Sequence, residues 1–63
     1  MKIKQLSAID QKVVRVCKEA GISYFIISKK ENLLGAVITK SDAEVISQRL
    51  YADVYSYYDF EDS

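Results

Sequence analysis

Cys17 is the only cysteine and histidine is absent from all 63 residues. A nucleophilic thiol would lack its usual base, and the commonest general acid–base side chain is missing. Cys17 also shares a helical side with apolar residues, where a cysteine serves as a small packing group. One cysteine and no histidine leave no zinc set and no internal disulfide. Asp59, Glu61 and Asp62 are close enough in sequence to consider for a divalent ion, but a chain end offers no fixed geometry for one. Gly21 and Gly35 are isolated and match no phosphate-binding glycine spacing. The chain is therefore expected to be no enzyme and to carry no metal and no cofactor.

Binding is the chemistry the remaining side chains can perform. Tyr51, Tyr55, Tyr57 and Tyr58 crowd one short stretch beside Asp53, Asp59 and Glu61. Tyrosine buries a large rigid area while keeping a polar tip, which suits the centre of an interface. Val45, Tyr51, Ala52, Tyr55, Tyr58 and Asp59 are the expected protein-binding residues. A competing reading uses Lys12, Arg15 and Lys18 on one helix with Lys29 and Lys30 at a hairpin tip, two basic elements that could follow a phosphate backbone. Only Arg15 in that half is an arginine, the usual reader of base edges, so nucleic-acid binding ranks second.

The charge balance separates these readings further. Nine basic and nine acidic residues cancel overall, yet residues 1–30 hold seven basic against two acidic and residues 31–63 the reverse, net +5 and −5. The second half would repel phosphate. The split otherwise suits head-to-tail attraction between subunits, a charged face aimed at a partner, or plain solvation of a small surface.

Ile22–Ser28 and Leu34–Thr39 are rich in β-branched and aromatic residues, and the polar Lys29-Lys30-Glu31-Asn32 separates them, which predicts a β-hairpin. Asn32 is the residue expected to take positive φ in that turn. Ser7 and Asp10 resemble a capping box and Gly21 a C-terminal stop, predicting a helix over residues 7–20 with Leu6, Ile9, Val13, Val16, Cys17 and Ala20 as its core stripe. Ser41 and Glu44 form a second box, starting a helix near Asp42 whose stripe is Ala43, Ile46, Leu50, Val54 and Tyr57. Met1–Gln5 alternates apolar and basic residues as a short edge strand would. The expected fold is α+β: one domain over 1–63, (β)αββα, a central antiparallel hairpin covered by two helices on one face. Residues 58–63 are expected to form an acidic, frayed tail.

A core this small supplies only about 3–5 kcal/mol, and self-association or folding against a partner is the remaining supplement. Both sides of the hairpin are apolar, so helices on one face would leave Phe25, Ile27 and Val37, or else Tyr24, Ile26 and Ile38, as an oligomer interface, most simply in a homodimer. The tyrosine side of the second helix is the competing geometry. Met1–Leu6 lacks the apolar run of a signal peptide and no segment is long enough to span a membrane, so a cytoplasmic setting without membrane contact is expected. Small size, no catalytic chemistry and an acidic tyrosine-rich end fit an inhibitor or adaptor of the kind phages and other mobile elements encode, acting on a larger protein.

Overall fold

Tyr24–Ile27 (β1) and Leu33–Val37 (β2) pair antiparallel, with Phe25 opposite Ala36 and Ile27 opposite Leu33. The computed structural model describes residues 1–60. The register slips between Ile26 and Ile27, leaving Leu34 as a bulged residue next to Gly35. The turn takes its positive φ at Glu31 rather than at Asn32, because Ser28 organises it through hydrogen bonds from Glu31 N–H to its carbonyl and from Asn32 N–H to its hydroxyl.

The α+β class expected from the sequence is the one observed, with two helices packed on an antiparallel sheet. The sheet has a third strand that the sequence reading places in a helix. Helix α2 spans Lys40–Leu50; Tyr51 then turns left-handed at φ 52°, and β3 (Asp53–Ser56) pairs with the other side of β1. The strand order is β2-β1-β3. β-branched Val54 and aromatic Tyr55 suit a strand, and β1 offers them its second edge, which outweighs their agreement with the helical stripe.

Helix α2 begins two residues early. Thr39 is its N-cap, accepting a hydrogen bond from Asp42 N–H at 3.3 Å, and Ser41 lies inside the first turn. Thr39→Ala is thus expected to cost about 1 kcal/mol of stability and Ser41→Ala only a few tenths, measured by urea denaturation. The reverse order would restore Ser41 as the cap.

Helix α1 spans Ala8–Glu19, capped by Ser7, whose hydroxyl accepts from Asp10 N–H at 3.1 Å, and released through Gly21 at φ 85°. Ile3–Gln5 forms a 3-10 turn instead of an edge strand, since Ile3 and Leu6 both dive into the core. Alternation along β1 sends Phe25 and Ile27 to one face of the sheet and Ile26 to the other. On the first face, Phe25 and Ile27 join Ile3, Leu6 and Val14 of α1 in one buried cluster. Ile26 is also fully buried but outside that cluster, on the side where α2 contributes its two buried residues, Ala43 and Ser47. The helices therefore cover opposite faces, not one face, which is what a sheet apolar on both sides requires. Among the described residues no helix is long and apolar enough to cross a membrane.

Candidate protein-binding surface

The third strand leads directly into a short aromatic turn at the surface. Tyr57 N–H donates to Ser23 carbonyl at 2.8 Å, prolonging the β3 pairing, and Tyr57–Asp59 then closes into a 3-10 turn. Asp59 holds that turn by accepting from Ser56 N–H at 2.7 Å. Phe60 follows and folds back onto the core, its ring edge-on to Phe25 at 5.8 Å and tilted against Tyr55 at 5.9 Å. The expected frayed tail thus does not begin at Tyr58. Residues 61–63, including Glu61 and Asp62, lie outside the described residues.

This fold fixes an aromatic corner. Tyr58 is 80% exposed, and its ring stands perpendicular to that of Tyr57 with centroids 5.8 Å apart. Lys18, near the end of α1, places its ammonium 5.5 Å from the centre of the Tyr57 ring, within reach of the ring's negative face. Tyr57 is clamped between helix and turn, and Tyr58 projects from it. Beside the corner, an open cleft of about 350 Å³ is lined by Tyr24, Lys40, Val54, Ser56 and Asp59.

The residues expected to bind a protein are not one continuous patch. Tyr58 and Asp59 sit together in the 3-10 turn. Tyr51 is 86% exposed at the C-cap of α2, and Val45 lies on that helix's outer side. Tyr55 opposite Phe25 belongs to the α1 face and packs half-buried against the core, with Ala52 half-buried ahead of β3. All six share one surface only if α2 continues through Tyr57, as the helical spacing of the sequence suggests.

The residues expected at an oligomer interface are mostly internal. Phe25 is 0% and Ile27 1% exposed within a single chain, and Val37 is half-buried opposite Tyr24. With a helix on each face, Phe25 and Ile27 have nothing left to offer a second copy.

The basic residues do not converge either. Lys29 is engaged with Asp53 at 2.7 Å, Lys18 lies over Tyr57, and Lys30 is exposed at the hairpin tip, at the other end of β1 from Lys18. Lys12 and Arg15 remain exposed on α1. Among the described residues no group of acidic, cysteine or histidine side chains is placed to hold a metal ion.

Cys17 is free and half-buried, packed against the α1-side core. Cys17→Ala is expected to remove about 1 kcal/mol, lowering the melting temperature by roughly 4–8 °C, with partner binding unchanged. Loss of binding at an unchanged melting temperature would assign the thiol a role beyond packing. No family model matches this chain, and neither does any curated protein or solved structure in the comparisons made.

Proposed function

We propose that this chain is a small non-enzymatic binding module that occupies a site on a larger protein, as an inhibitor or adaptor, and that it also associates with itself. The observation that carries the reading is the aromatic corner: an exposed Tyr58 held against a clamped Tyr57, with Asp59 fixing the turn beneath it. A side chain whose backbone is already fixed in a hydrogen-bonded turn gives up less conformational freedom on docking, which leaves more of its burial available as affinity. Exposed tyrosine next to a lysine and a carboxylate resembles the anchor-and-rim arrangement of protein interfaces. The lack of histidine and the packing of Cys17 support a role without catalysis.

The inhibitor or adaptor role and the phage or mobile-element origin rest on size and composition. A cytoplasmic setting rests on the single unpaired cysteine. Affinity capture with the intact chain from the producing cell, run beside an electrophoretic shift assay with DNA and RNA, tests the reading. A retained protein and no salt-sensitive shift are expected; a salt-sensitive shift without a retained protein would contradict it.

A further inference from the structure

One side of α1 is apolar, exposed and uncovered. Ile9 is 76% and Val16 57% exposed, Val13 is also exposed, and Ala20 at the C-cap continues the row. At about 100° per residue these four fall within one narrow arc. Val14 and Cys17, not this row, turn toward the core. The row flanks the outer edge of β2: Asp10 accepts from Leu33 N–H at 3.1 Å, and Val13 lines a shallow cleft with Leu33, Leu34, Gly35 and Ala36. Leu34, the bulged residue, is itself exposed there.

We infer that this flank of α1, with Leu34, is the surface through which two copies of the chain pair, their α1 helices antiparallel about a two-fold axis. This deepens the self-association in the reading above and rests on it. The spacing 9, 13, 16, 20 alternates four and three, the seam by which one helix packs on another. Charge selects the mate. Lys12 and Glu19 are seven residues apart, so both lie on the same border of the seam, and neither makes an ion pair among the described residues. In an antiparallel pair equivalent borders meet, which brings each Lys12 to the other copy's Glu19, twice per dimer; a parallel pair makes no such match. The seam itself contains no charge, as a surface meeting its own copy requires. A two-fold axis normal to the sheet also keeps both sheets on one side, with the β2 edges and Leu34 facing each other.

An added strand fits this place less well, because the bulge at Leu34 interrupts the β2 edge and Asp10 already occupies Leu33 N–H. A standard interface takes about 800 Å² from each partner. That is roughly a fifth of the 4340 Å² surface, more than one helix flank supplies, so the dimer forms with rising concentration rather than permanently.

Sedimentation velocity on the full chain, from micromolar to millimolar, is the test. The wild type is expected to move from one-chain to two-chain mass. Ile9→Glu and Val16→Glu, both exposed, hold it at one-chain mass with unchanged melting. Lys12→Glu and Glu19→Lys each weaken pairing roughly tenfold by turning two attractions into repulsions, and the double exchange restores it. A dimer that survives Ile9→Glu and Val16→Glu overturns this surface while self-association stands. A double exchange that fails to restore pairing overturns the antiparallel arrangement. One-chain mass up to millimolar overturns both this surface and self-association.

Discussion

Phe25→Ala is expected to leave the chain largely unfolded at 25 °C. Phe25 is fully buried, stands between Ala36 on β2 and Tyr55 on β3, and receives the edge of Phe60 at 5.8 Å. Truncating a buried phenylalanine costs about 3–5 kcal/mol through lost transfer energy and the cavity left behind. A single core in a chain of this length supplies about the same amount, so the margin disappears. Phe25→Leu, which keeps most of the volume, is expected to cost below about 1.5 kcal/mol and to fold. Far-ultraviolet circular dichroism with urea titration reads both. A Phe25→Ala variant melting within a few degrees of the wild type would show that the core is not centred on this ring. The same burial means that a charge at Phe25 would destroy the fold before it could report on any interface.

Tyr58→Ala is expected to weaken binding to the larger protein about 30-fold or more while leaving stability almost unchanged. Anchoring aromatics at interface centres cost 2 kcal/mol or more when truncated, a factor of roughly 30. Tyr58 is mostly exposed in the free chain, so its removal takes little from the core. What the fold loses is one edge-on contact with Tyr57. Val45→Ala, on the outer side of α2, is expected to change the same affinity less than threefold. Titration calorimetry with the captured protein, alongside thermal melting, separates the two effects. Equal losses from Tyr58→Ala and Val45→Ala would move the binding surface onto α2.

The sequence shows the hairpin clearly because β1 is wholly β-branched or aromatic, an apolar run ending in Val37-Ile38-Thr39 follows, and a purely polar turn divides the two. It shows α1 because Ser7 and Gly21 mark its ends. It hides β3, because Val54 and Tyr57 continue the helical spacing of Ala43, Ile46 and Leu50, and the break falls on Tyr51 rather than on a glycine or asparagine. The signal present was local: Val54 and Tyr55 favour a strand, and β1 had a second edge to pair.

The face of α1 misleads for a different reason. Ile9, Val13 and Val16 are a stronger apolar row than Val14 and Cys17, yet Asp10 binding to Leu33 and Gln11 binding to the Leu6 carbonyl at 2.9 Å turn the weaker row inward. The apolar row is real, but what it contacts is not the chain's own core. Likewise, two apolar faces on β1 were visible in the sequence. They signal a helix on each side as readily as a second subunit, and Ile26 beneath α2 decides for the former. The tyrosines of the candidate site were legible as residues; their grouping was not, since it depends on where α2 stops.

The most direct test of the proposed binding role is photo-crosslinking in the producing cell, with a benzophenone side chain replacing Tyr58 in one variant and Lys30 in another. Both positions are exposed, and they lie at opposite ends of β1. A covalent adduct with one larger protein is expected from position 58 and none from position 30. Absence of any adduct from position 58, or an adduct with nucleic acid from position 30, would contradict it.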